Sequence, residues 1–250
     1  MNKETLLAII CFFLVSMTTV VYAVEDKNKP ITISEQKADI SGDGKLETIF
    51  LKGVPYEEDK SFLQKIYLEV ITSNEKTYTF PLESGTKAAL QLIDMNDDGV
   101  RDLFATVQNG ENSGTVFSFI YSLKNFKKVK LPAPESVELE SRFLNNYQAE
   151  IKMKQTGKTY YFDLSNRKNY YQKLGLYYKG RLNEPTELMV QSFQSLKPTV
   201  LQDGRLGLKG IQRVAGIANG DTIAYIESNW QLQKGKWRLA NLKVVEGNNS

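Results

Sequence analysis

The chain has no histidine, and its one cysteine, Cys11, falls inside an apolar stretch near the start. These absences remove much of enzyme chemistry, because a Ser-His-Asp triad, a Cys-His pair and a histidine-built zinc site all need side chains that are missing. Once Cys11 leaves with a leader, no disulfide can form, and stability must come from the core and from ions. An excess of one charge is missing too: 32 Lys and Arg stand against 29 Asp and Glu, a formal +3. The basic residues are scattered, and the densest run is the hairpin-like Lys124 to Lys130. The broad basic face that a nucleic acid requires is therefore absent.

Met1 to Ala23 reads as a signal peptide, with Lys3 near its start, an apolar run Leu6 to Val15, and Val21-Tyr22-Ala23 as a small-residue cleavage site. The apolar run falls short of the ~20 residues of a membrane span, and Ile10 before Cys11 argues against a lipoprotein anchor. The expectation is a secreted protein with no transmembrane segment after cleavage. Its weakly basic, Lys- and Asn-rich composition suits association with the anionic wall of a Gram-positive-type bacterium.

Two short runs carry the chemistry that is present. They are Asp39-Ile-Ser41-Gly-Asp43-Gly44-Lys45-Leu-Glu47 and Asp94-Met-Asn96-Asp-Asp98-Gly99-Val100-Arg-Asp102. Each places oxygen-bearing side chains at positions 1, 3, 5 and 9 and glycine at 6, so that the backbone folds back and offers the carbonyl of position 7. The expected ligands of Ca2+ are Asp94, Asn96, Asp98 and Asp102 with the Val100 carbonyl, and Asp39, Ser41, Asp43 and Glu47 with the Lys45 carbonyl. An EF-hand would need Glu at position 12, where this chain has Phe50 and Ala105. The residues after each run, Glu47-Thr-Ile-Phe-Leu and Asp102-Leu-Phe-Ala-Thr-Val, are the β-branched and aromatic types of strands. The loops are thus expected to feed strands.

From Lys37 to Lys130 this loop-then-strand pattern resembles the FG-GAP or VCBS-type repeat, the calcium-loop unit of integrin α-chain β-propellers and of many secreted bacterial proteins. Asp94, Asn96, Asp98 and Asp102 match that pattern, and Asp39, Asp43 and Glu47 match it with Ser41 where the family has Asp or Asn. The resemblance implies an all-β fold of β-propeller-like antiparallel repeats. Asp94 follows Asp39 by 55 residues, and Asp203-Gly204-Arg205 reads as a worn third copy starting at Thr199. A fourth, unmarked unit then begins near Asn145 to Tyr147, which makes about four blade-like units.

Short strands are expected at 48–52, 66–72, 77–81, 103–108, 115–123, 126–131, 149–154, 159–164, 206–217, 222–230 and 237–245, with one short helix capped by Ser165 and ended by Gly175. Leu131-Pro132-Ala-Pro134-Glu-Ser136 is the expected linker. It divides the chain into a signal peptide (1–23), two calcium-loop repeats (24–131) and two degenerate repeats of the same domain (132–250).

Tyr147, Tyr160, Tyr161, Tyr170, Tyr171, Tyr177 and Tyr178 form a crowd able to stack on sugars. Adjacent strand residues face opposite ways, so packing across strands is the plainer reading. The loop Asn109 to Gly114 reads as a turn or a ligand contact. The whole points to a secreted calcium-binding module without catalysis, whose partner is a cell-wall or extracellular glycan or a protein. The alternative is a calcium-assisted polysaccharide lyase or glycosidase, for which Arg101 is the natural base but no carboxylate pair stands out.

Overall fold

The computed structural model describes residues 29–110 and 114–247. The leader expected over Met1 to Ala23 lies outside the described residues, as does the middle of the loop 109–114.

The chain is mostly antiparallel β-structure. Strands β1 (Ile31–Ala38), β2 (Glu47–Pro55), β3 (Leu63–Ile71) and β4 (Thr77–Leu82) form one sheet in sequence order. Strands β5 (Lys87–Ile93), β6 (Asp102–Asn109), β7 (Thr115–Ser122) and β8 (Val129–Leu131) form a second with the same plan. A three-stranded sheet follows, with β10 (Gln148–Met153) between β9 (Leu139–Leu144) and β11 (Thr159–Asp163). A short helix, α1 (Lys168–Lys173), and a two-stranded ribbon, β12 (Tyr177–Tyr178) with β13 (Arg181–Leu182), lead to the last sheet. That sheet has the longest strands, β14 (Met189–Val200), β15 (Leu206–Ala215), β16 (Thr222–Gln233) and β17 (Lys236–Glu246), again in sequence order.

Alternation along the strands decides how the sheets stack. Leu103, Ala105 and Val107 of β6 face a core shared with Ile49, Leu51, Leu68 and Phe80 of the first sheet. Phe104, from the opposite face of β6, joins Ile120 in a second core with Phe143, Ile151, Tyr171, Leu208 and Trp230. The second sheet is thus buried on both faces and separates two cores. Residues 132–138 are held in place, because Trp237 Nε1 donates to the Pro132 carbonyl at 2.8 Å. The Gln212 amide both donates to and accepts from the Val137 backbone, at 3.1 and 2.7 Å.

The all-β, antiparallel expectation holds, and among the described residues the strands form separate open sheets with no closed barrel. Several other expectations are corrected here. Each sheet of three or more strands opens with a strand the sequence pattern did not reveal: β1, β5, β9 and β14. Thr199 belongs to β14, and Leu201 to Arg205 form a tight turn closed by the Gly204 N–H on the Leu201 carbonyl, so there is no third loop. Asp203 pairs instead with its neighbour Arg205 at 2.7 Å. The helix forms, but Ser165 does not cap it, and Gly175 takes φ +74° just after its end.

Of the tyrosine crowd, Tyr147, Tyr171 and Tyr177 are buried and touch ring to ring, the Tyr147 and Tyr177 centroids 4.6 Å apart. Tyr161 and Tyr178 lie exposed.

Candidate metal loops

The two acidic runs lie side by side. Each joins the first and second strands of its sheet, β1 to β2 and β5 to β6. A Cβ placed on Gly42 would stand 2.9 Å from the Val100 side chain, and the Asn125 N–H donates to the Ser41 carbonyl at 2.8 Å. The short turn after β7 therefore bridges the loops.

Position 6 needs glycine in both, since Gly44 and Gly99 take φ of +82° and +83°. In the first loop Asp39 accepts from the Gly42 and Gly44 N–H groups at 2.6 and 2.8 Å. Asp43 accepts from the Lys45 N–H and from the Ser73 hydroxyl, at 2.8 and 2.6 Å. Those bonds, Ser73's first, hold its carboxyl below the usual range. Glu47 is fully buried and takes the Ile40 and Ser41 N–H groups on Oε2, at 2.8 and 3.1 Å. Its Oε1 accepts the Ser41 hydroxyl at 3.1 Å. Every carboxylate oxygen of this loop has a donor, and Ser41 spends its hydroxyl on Glu47.

The second loop is less complete. Asp94 accepts from the Asp98 and Gly99 N–H groups at 3.1 and 2.8 Å, and Asn96 donates its amide to Asp98 at 3.1 Å. Lys124 brings its ammonium to the Asp98 carbonyl oxygen at 2.7 Å and within 3.5 Å of the carboxylate. Asp102, with no exposed surface, accepts the Met95 N–H on Oδ2 at 3.0 Å, but its Oδ1 is buried without a hydrogen-bond partner. Burial pushes its carboxyl up to about 6; the Met95 N–H and the Ser122 hydroxyl oppose this, and the Asp98 and Asp94 charges add to it.

The structure thus keeps all the nominated side chains in their loops but turns most of them onto backbone N–H groups. Among the described residues no three His, Cys, Asp or Glu side chains meet as a metal-holding group. In both loops the carboxylates accept the N–H groups of the tight turns that glycine allows. The Val100 and Lys45 carbonyls remain at position 7 of their loops. Sequence reasoning missed Lys124 and Ser73, which reach the loops from β7's far end and from the turn after β3. Nothing local to either loop signals them.

Comparison with known proteins places the second half more firmly than the first. Residues 137–245 match the family described as the YybI C-terminal domain, a span that begins just after the Pro132 to Pro134 stretch. A relative is the uncharacterized protein YybI of Bacillus subtilis (strain 168), 25% identical over 211 residues, which cover 81% of this chain and 80% of that protein. No solved structure matches. The resemblance to FG-GAP or VCBS repeats is overturned, because the matching family is a different one. Among the described residues no helix is long and apolar enough to cross a membrane.

Proposed function

We propose that this chain is a secreted, non-catalytic binding module whose second acidic loop takes up one calcium ion. The observation that carries the reading is Asp102 Oδ1, buried and without a donor beside the Asp94 and Asp98 carboxylates. Leaving a buried polar atom unpaired costs about 1–3 kcal/mol, and a hard cation supplies what the oxygen lacks. Asp94, Asn96, Asp98, Asp102 and the Val100 carbonyl supply oxygen donors of the type calcium takes. The first loop, with its oxygens already supplied with donors, is the weaker candidate.

The apolar leader-like segment at Met1 to Ala23 supports placement outside the cytoplasm. Lack of histidine and the absence of an obvious carboxylate pair support binding over catalysis. The partner would be a cell-wall or extracellular glycan or protein.

Calcium titration followed by thermal unfolding tests the reading. With free calcium about tenfold above a submillimolar dissociation constant, the ion adds about 1–2 kcal/mol. A melting temperature raised by a few degrees in the intact protein, and unmoved in Asp98→Ala, is the expected result. No response in the intact protein would sink it.

A further inference from the structure

The outer edge of β9 is paired at both ends and open between them. In an antiparallel sheet successive residues point their backbone groups alternately toward and away from the neighbour. The Phe143 N–H points away from β10 and donates to the Thr186 carbonyl at 2.9 Å, where Arg142 also bridges Glu187. Two steps beyond the other end, Val137 also points outward, and the buried Gln212 amide meets both its N–H and its carbonyl. Between these two fixtures the same alternation turns Ser141 and Leu139 outward. Among the described residues the Ser141 N–H and both backbone groups of Leu139 have no partner on that side.

This edge opens into a cleft of about 970 Å³, whose far wall is the segment Pro185 to Leu188 between β13 and β14, with Val190 of β14. Outward backbone groups of a strand recur every second residue, about 7 Å apart, a spacing that another extended backbone matches. Gln212 shows the fit: its carboxamide, chemically one peptide group, satisfies Val137 as an added strand would. The charges on the sheet face are already matched in pairs, Arg142 with Glu150 at 3.0 Å and Lys152 with Glu140 at 3.1 Å. Lys154 pairs likewise with Glu138 at 3.5 Å, so among the described residues the exposed Glu187 on the far wall is the one charged lining side chain outside these pairs.

We propose that the cleft binds an extended peptide segment, which adds a strand to the open edge of β9. The side chains of that segment alternate. One set meets the half-buried Leu139 at the rim of the core that Phe143 and Leu188 fill; the other meets the paired charges and is polar. The proposal rests on the binding-module reading and adds the class of ligand, and it is independent of calcium.

The probe is a position-scanning set of capped peptides of about five residues, with Val, Leu or Phe alternating with Thr or Lys. One series should bind with a dissociation constant of roughly tens to hundreds of micromolar, slowing amide exchange at Leu139 and Ser141. N-methylation of alternate peptide residues should weaken it at least about tenfold, and so should Ser141→Pro, since proline is tolerated where an edge N–H faces outward. Ser141→Pro should keep the melting temperature and any calcium response of the parent. The proposal is overturned if no series binds at millimolar concentration, if binding ignores both changes, or if a neutral oligosaccharide protects these amides and the peptides do not. Because the methylated peptides act on the unaltered protein, the outcome stands even if Ser141→Pro fails to fold. A calcium response with no peptide binding would defeat this inference alone.

Discussion

Arg167 Nη1 and Asp221 Oδ1 meet at 2.6 Å in the interior, with side chains only 11% and 3% exposed. The pair ties the turn before α1 to the connection between β15 and β16, and Asp221 also accepts the Tyr171 hydroxyl at 2.8 Å and the Ile217 N–H at 3.2 Å. A buried pair of this kind is costly to break from one side, because the partner left behind is a desolvated charge. Asp221→Asn or Arg167→Ala is expected to destabilise by about 3–5 kcal/mol, read by urea unfolding. Replacing both should cost less than the two single losses combined.

Asp102 should give stability a distinctive pH dependence. Its folded-state carboxyl is raised from 3.8 to about 6, so between those values the native state holds a proton that the unfolded chain has released. Stability from this group is therefore present at low pH and falls as pH rises toward 6, by up to about 3 kcal/mol. Carboxyls held low, such as Asp43 and Asp203, work the opposite way, so the comparison must be made with a variant. Asp102→Asn should lose the decline between pH 4 and 6 (about one carboxyl's worth) and unfold at a higher temperature than the parent at neutral pH in chelator. A parent and variant with parallel pH profiles would refute this.

Gln212 has no exposed surface and spans from β15 to the Val137 backbone. Gln212→Leu keeps the size but leaves a buried N–H and carbonyl without partners, a loss of about 2–4 kcal/mol. The Val137 amide should then exchange with solvent far faster than in the parent, while amides of β2 and β3 stay protected.

Gly44 and Gly99 take left-handed φ, and a Cβ added to either would have nothing within 4 Å. Alanine at either therefore meets no clash, only the backbone penalty of about 1–2 kcal/mol. Chemical denaturation should show similar small losses for Gly44→Ala and Gly99→Ala. Gly85→Ala, by contrast, would drive a Cβ to 2.2 Å from the Gln108 carbonyl oxygen and should be far more harmful.

The loops were legible because their shape is written locally: an Asp that accepts backbone N–H groups and a Gly that permits the reversal stand within six positions of each other. Whether those carboxylates also hold an ion depends on Lys124, Ser73 and Ser122, which come from other strands and turns. The missed strands share a physical reason. β5 carries Ala88 and Ala89, β9 carries Glu140 and Arg142, and β14 contains Pro198 and shifts register twice. β5 and β9 lack the β-branched run that marks β2 or β6, and all four missed strands, β1 with its Ile31-Thr-Ile33 included, are outer strands of their sheets, each specified by one neighbour. The cleft beside β9 was equally hidden, since Ser141 and Leu188 meet only after α1 and the ribbon have folded between them.

Because Leu103 and Phe104 point into different cores, neither half of the polypeptide is self-sufficient. Expressed from residue 137 onward, the C-terminal portion would lack Phe104 and Ile120 and present a greasy socket to water. A fragment ending near Pro132 would bare the opposite side of that interface. Both pieces should aggregate when made alone and become soluble when produced together, so the inheritance of the two halves as one reading frame has a physical basis in a shared middle layer.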